Sequence, residues 1–213
     1  MKIFFAVKDG FVIVALLLCA CSLFPEEVST QDEWREEEYR LAGTAKDIDY
    51  LSDKEKEVYY YINLARINPP LFARTFAKEY DGEPGYLKGY AWDARKATLL
   101  DELKAMKPLP VLMPDSALYA SALCFAREGG RLGIVGHGRD QTGCTVEYSA
   151  ECCHYGGSQN GLSVVMSLLI DAGENNGALG HRRILLNDSY IKLGVSIQPH
   201  ALYGSNTVLD FGR

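Results

Sequence analysis

Several catalytic signatures are missing from this chain. It has no Gly-x-Ser-x-Gly elbow, so an α/β-hydrolase triad would lack the sharp turn that presents its serine. No Walker loop, dinucleotide fingerprint or HExxH helix occurs either. The cysteines never fall at the CxxC spacing of a structural zinc site or a thioredoxin-like dithiol. Basic clusters are absent as well: 22 Lys and Arg stand against 28 Asp and Glu, a formal charge of -6. Phosphate backbones require a concentrated basic face, so a nucleic-acid partner is not expected. Histidine is scarce, with four in 213 residues, which keeps the search for imidazole chemistry short.

What is present describes a globular chain, 47% hydrophobic and 23% charged, long enough for one good core. The start stands apart. MKIFFAVKDGFVIVALLLCAC carries Lys2 and Lys8, an apolar run from Phe11 to Leu18 and small residues before Cys21, the pattern of an export signal. The apolar run is shorter than the ~20 residues a bilayer-spanning helix needs. Leu18-Cys19-Ala20-Cys21 resembles the bacterial lipobox, in which the last cysteine is acylated and becomes the mature N-terminus. That resemblance implies a signal peptide over residues 1–20 and a membrane anchor at Cys21. Residues 21–50 are rich in acids and poor in aliphatics, which predicts a solvated tether with one helical turn around Trp34. A folded domain is expected over residues 51–213.

An exported chain meets an oxidising environment in which Cys124, Cys144, Cys152 and Cys153 can pair. Four cysteines allow three pairings. A vicinal Cys152–Cys153 bridge is disfavoured, and Cys144 closing a short loop onto one of that pair is the preferred expectation.

Within the domain, Ser52 and Glu55 stand at capping-box spacing, and Val58, Ile62 and Ala65 follow as one buried stripe. Pro69 and Pro70 end that helix, and Pro70 suits the first position of a second, LFARTFAKEY. Leu99, Leu103 and Met106 share a face of a third. A fourth, near Asp115 to Glu128, buries Leu118, Ala122 and Phe125. The glycine-rich GGRLGIVGHGRDQTG that follows is loop, and GLSVVMSLLIDAG is helix again, with Ser158 near its start. The tail changes period. Ile191, Leu193, Val195 and Ile197 alternate with Lys192, Gly194, Ser196 and Gln198, the two-residue period of a half-buried strand, and NTVLDF reads as its antiparallel partner. An α+β class with helices packed on a small mixed or antiparallel sheet follows.

Two histidines lie in glycine-rich settings, His137 in Gly-His-Gly and His181 in Gly-His-Arg, where backbone approaches closely and the imidazole stays reachable. A single such residue is more often a polar loop residue than a ligand. Two of them, each beside an amphipathic helix and near carboxylates, suit a divalent-metal site, most naturally Zn2+. The remaining pair reads as structural: His154 as a solvated loop residue, His200 as part of a turn between strands.

The order of NLARINPP, a helix ending before Gly-His-Gly, a glutamate, an apolar helix and then GHRRILLNDSYIKLGVSI resembles the CAP superfamily, also called SCP/TAPS, over about residues 52–211. Cysteine-rich secretory proteins, antigen 5 and plant pathogenesis-related proteins belong to it. The resemblance implies an α-β-α sandwich with a cleft lined by two histidines and two acids. By position these are His137 and His181, with Glu151 as the first acid and Asp171 as the second. Ala150 and Cys152 stand where the family motif has glycine and asparagine. Glu174 carries the motif's Gly-Glu-Asn lettering but follows the apolar helix, so it reads as loop.

The resemblance implies a cleft able to hold a divalent metal or a lipid, sterol or peptide ligand. A lipid-anchored binding module of the cell envelope, at the outer membrane or cell surface, is the first functional expectation. A metal-assisted hydrolase with Glu151 as general base is the alternative. A purely adhesive domain would need none of these residues.

Overall fold

The computed structural model describes residues 33–82, 92–156, 160–172 and 179–213. The export signal, Cys21, the beginning of the acidic segment, Ser158 and Glu174 lie outside the described residues. Seven α-helices pack on a four-stranded mixed sheet among them. In chain order these are α1 (Glu36–Ala42), α2 (Asp53–Ile67), α3 (Pro69–Phe72), α4 (Trp92–Ala105), β1 (Met113–Pro114), α5 (Ser116–Leu132), β2 (Ala150–Tyr155), α6 (Gly161–Ile170), α7 (Gly180–Leu185), β3 (Lys192–His200) and β4 (Gly204–Gly212). The strand order is β1-β3-β4-β2, with β1 parallel to β3 and the other pairings antiparallel.

The helix signals read from the sequence are met closely. Ser52 accepts from Glu55 N–H while the Glu55 carboxylate accepts from Ser52 N–H, both halves of the capping box that starts α2. Pro69 rather than Pro70 takes the first position of α3, and Asn68 caps it. A π-helical turn over Ala73–Ala77 continues from α3. Asp115 caps α5 by accepting from Ala117 N–H and Leu118 N–H. Asn160 caps α6 through Ser163 N–H.

Residues 33–50 are not a solvated tether. Trp34 is buried and its Nε1–H donates to Thr75 Oγ1 at 3.1 Å. Glu38 and Ala42 form the buried side of α1, which packs on α2, and Trp34, four residues before Glu38, extends that buried line ahead of the helix. The acids that gave the segment its solvated look are Glu36 and Glu37 on the open side, whereas Glu38 accepts from Asn68 Nδ2 at 2.9 Å. The folded unit therefore begins by residue 33 rather than at 51.

The strands differ from the sequence reading in one respect. β3 and β4 pair antiparallel as expected, but neither is half-buried, because helices cover both faces of the sheet. Leu193, Val195, Leu209 and Phe211 join Cys152 in the core built on α2 and α6. On the opposite face Cys153 and Val208 pack with Ala122, Phe125 and Ala126 of α5. Gly194 allows α5 this close: a Cβ there would stand 2.1 Å from the Leu118 carbonyl carbon. The lysine and serine that alternate with apolar residues thus report on different environments, since Lys192 is exposed and Ser196 is buried.

The cysteine pairing also departs from expectation. Cys124 of α5 bonds to Cys144, 20 residues further on. Cys152 and Cys153 carry no disulfide; β2 buries them, on opposite faces of the sheet. The bridge ties the loop that carries His137 to the helix preceding it. A cross-link of this span restricts the unfolded chain by about 3 kcal/mol. We expect Cys124→Ser with Cys144→Ser to lose that much in a denaturant melt, and reduction of the wild-type protein to reproduce the loss.

Candidate functional site

β2 and the loop before it, residues 133–149, supply the first half of the site. Gly136 has φ +87°, a conformation open to glycine, and its backbone N–H and carbonyl meet the Tyr155 hydroxyl at 2.8 and 3.3 Å. That anchor sets His137 over the strand. Its Nδ1 lies 2.7 Å from Glu151 Oε1, with the imidazole 55% exposed and the carboxylate buried. Cys153 follows Glu151 by two residues on the same face, and its Sγ lies 3.7 Å from His137 Nδ1 and 3.6 Å from the Gly136 carbonyl.

Beneath this pair lies an ion network that sequence reasoning missed. The Arg139 guanidinium donates from Nε to Glu151 Oε2 at 2.9 Å, and its terminal nitrogen bonds the same oxygen and both oxygens of Asp210, at 2.9 and 3.0 Å. The Ser121 hydroxyl donates to Asp210 at 2.6 Å. Phe125 and Tyr148 flank the guanidinium, each ring centroid 4.7 Å from its carbon. The signal for this network was Asp210 itself: a charged residue inside the apolar run TVLDF has to be paired.

Two buried carboxylates share one arginine, and they divide it unequally. Burial would raise Glu151, but hydrogen bonds from His137 and Arg139 bring it below the usual carboxylate range. Burial outweighs Ser121 and Arg139 at Asp210 and pushes it up to about 7, helped by the negative charge of Glu151. Burial also pushes the Cys153 thiol well up, so it stays protonated.

A second carboxylate–imidazole pair is built where α6 meets α7. Asp171 ends α6 in a left-handed conformation, φ 56°, which aspartate tolerates better than most residues. Its buried carboxylate then does two things. Oδ2 accepts from the N–H groups of His181 and Arg182, at 3.0 and 3.4 Å, capping the first turn of α7. Oδ1 lies 2.8 Å from His181 Nδ1 and fixes the ring. Leu179, at φ 51°, holds a strained turn just before α7. Arg182 pairs with Glu102 at 3.2 Å, but it mainly binds the carbonyls of Leu169, Ile170 and Arg95 and so caps the end of α6.

All four residues singled out from the sequence are thus in carboxylate–imidazole pairs, His137 with Glu151 and His181 with Asp171. With its Nδ1 committed to Asp171, His181 would coordinate a metal through Nε2, whereas the Glu151 and Cys153 donors gather on the Nδ1 side of His137, where a cation would displace the Nδ1–Glu151 hydrogen bond. Among the described residues, the group whose donor atoms all approach within 4.8 Å of one another is His137, Glu151 and Cys153. Nitrogen, oxygen and sulfur donors in one group suit a borderline cation such as zinc. Among the described residues, no such group of three contains His181. The cysteine was not a sequence-derived ligand; its spacing of two from Glu151 on a strand was the available signal.

Of the other histidines, His154 is not the solvated loop residue expected, and His200 does lie at the turn between two strands. His154 is buried on β2, and burial, then the neighbouring His181, lower it to about 4. His200 is buried too, with Nε2 3.0 Å from the Ile134 carbonyl and Nδ1 accepting from Leu202 and Tyr203 N–H at 3.1 and 3.3 Å. It pins the β3–β4 turn to the residues after α5.

Comparison with protein-family models, with curated proteins and with solved structures found no match.

The raised Asp210 has a testable sign. A carboxyl whose folded-state value lies above its unfolded one stabilises the fold fully below the unfolded value of about 4, and that contribution is lost as pH rises through about 7. Asparagine keeps the neutral, hydrogen-bonding shape at every pH. Asp210→Asn should therefore gain on the wild type as pH is raised from 4 to 7.5. Paired denaturant melts at those pH values check this, and a constant difference would mean that Asp210 titrates normally.

Proposed function

We propose that this chain is a CAP-type binding module, exported and held at the cell envelope by an acylated Cys21, whose histidine-and-acid site takes a divalent metal, zinc above others. The observation that carries the proposal is the paired arrangement itself. Two histidines nominated by sequence order each present Nδ1 to the acid nominated with it, at 2.7 and 2.8 Å. At His181 the carboxylate on one ring nitrogen fixes the tautomer and raises the basicity of the other, which is how metal-binding imidazoles are usually supported, and at His137 the carboxylate is itself a donor for the ion. Helices on both faces of the sheet are compatible with the α-β-α sandwich that the resemblance implies.

The donor set fits the ion. His137, Glu151 and Cys153 would hold it on the β2 side, and the exposed face of His137 gives it access. Cys153 would have to give up its proton on coordination, so affinity rises with pH. Bound zinc would act as a Lewis acid toward a ligand's carbonyl, phosphate or hydroxyl oxygen. A lipid, sterol or peptide carrying such a group is the ligand class proposed with it.

Binding is favoured over hydrolysis by the state of Glu151. A general base works best when its own pKa lies near the working pH. Glu151 is instead held low by Arg139 and His137, and both of its oxygens are engaged. A carboxylate held as an anion is suited to a cation rather than to accepting a proton.

Two measurements test the reading. Zinc retained after dialysis should fall to background in the His137→Ala, His181→Ala double variant, and equal zinc in wild type and variant would sink the metal site. Cys21→Ser should abolish incorporation of radiolabelled fatty acid and shift the chain from the membrane to the soluble fraction of its host; a variant that stays acylated removes the anchor.

A further inference from the structure

His154 is the buried polar group that no part of the site described so far uses. It stands on β2 opposite Thr207 of β4, in a strand whose alternation sends Glu151 and Cys153 to one face and Cys152 and His154 to the other. The His137 group therefore lies across the sheet from it. Its Nε2 is buried and has no hydrogen-bond partner among the described residues. Buried imidazole nitrogens are almost always satisfied, by protein, by water or by a bound group. The neighbours on this face are α6 and α7, and α7 packs on β2 with His181 as its second residue. His181 is close enough to bear on the charge of His154.

We propose that His154 and His181 form a second, two-imidazole site for a divalent transition cation, distinct from the one that His137 helps to make. His181 is already arranged for this role. Asp171 fixes its ring through Nδ1, which directs coordination to Nε2, and the side chain remains 22% exposed, so the site has a route to solvent. The carboxylate behind the ring balances charge that two neutral imidazoles cannot. Arg182, next in sequence, does not oppose a cation there, because its guanidinium is turned onto the Leu169, Ile170 and Arg95 carbonyls and Glu102. Paired imidazoles select zinc, copper or nickel over magnesium and calcium, which prefer oxygen. The inference does not rest on the proposed function, since it needs neither His137 nor Glu151.

The probe is Zn2+ alone, added to metal-free wild-type protein and followed by 15N resonances of the histidine rings. We expect the Nε2 signals of His154 and His181 to move together with one saturation curve. In equilibrium dialysis, His154→Gln and His181→Gln should each weaken this site at least tenfold, and His137→Gln should leave it intact. Movement of His137 and His181 without His154 would overturn the proposal while supporting the earlier reading. Movement of His154 and His181 without His137 would do the reverse, and no movement of any ring would overturn both. The wild-type resonances decide the matter even if His154→Gln does not fold.

Discussion

The buried Arg139 guanidinium is the interaction on which the site's architecture depends. Its loop belongs to no sheet and has few apolar residues to hold it down, so something other than burial has to fix it. Arg139 does so by reaching into the protein, between Phe125 of α5 and Tyr148 of its own loop, to Glu151 of β2 and Asp210 of β4. One side chain thereby joins a helix, two strands and a loop. Taking a cation and two carboxylates out of water is expensive, and the arrangement is sustained because most of the hydrogen-bonding capacity is used. The charge balance also sets the chemistry above it. Glu151 remains an anion beside His137, while Asp210 absorbs the mismatch by holding a proton up to about pH 7.

The two carboxylate–imidazole pairs reach the same local arrangement by different routes. Glu151 is placed by strand register and His137 by a glycine turn anchored to Tyr155. Asp171 is placed by the end of a helix and His181 by the start of another, with the carboxylate capping that start. In both, a rigid element carries the acid and a loop or a helix end brings the histidine to it. A carboxylate buried on a strand or at a helix terminus cannot move without breaking backbone pairing, so the imidazole is held to a narrow range of orientations.

The residues that carried the family resemblance divide into two kinds. In NLAR, Asn63 bonds the Ala42 and Leu112 carbonyls and the Leu112 N–H, and Arg66 donates to the carbonyls of Pro110, Leu185, Asn187 and Tyr190. Both are fully buried and neither touches the histidine pairs. They gather irregular backbone whose polar groups would otherwise be buried unsatisfied. Gly-His-Arg combines the two roles, since His181 faces the site and Arg182 caps α6. Motif residues are therefore as much architectural as functional here.

The sequence by itself determined α2, α4, α5, α6 and the two long strands, and it nominated the four residues that the structure pairs. Capping at Ser52 and Asp115, and period-two alternation after Ile191, are local codes, because the partners that satisfy them lie within a few residues. Chain order was enough to nominate His137, His181, Glu151 and Asp171. Only the tertiary structure decided the rest. It drew residues 33–50 into the core, joined Cys124 to Cys144, buried His154 and His200, and set Arg139 and Cys153 beside Glu151. Each of these depends on contacts between segments far apart in the chain, where period and composition carry no information about which face meets which. An acidic helix reads as solvated until another helix covers one side of it, and a histidine beside two cysteines reads as a loop until the strand that holds it is paired.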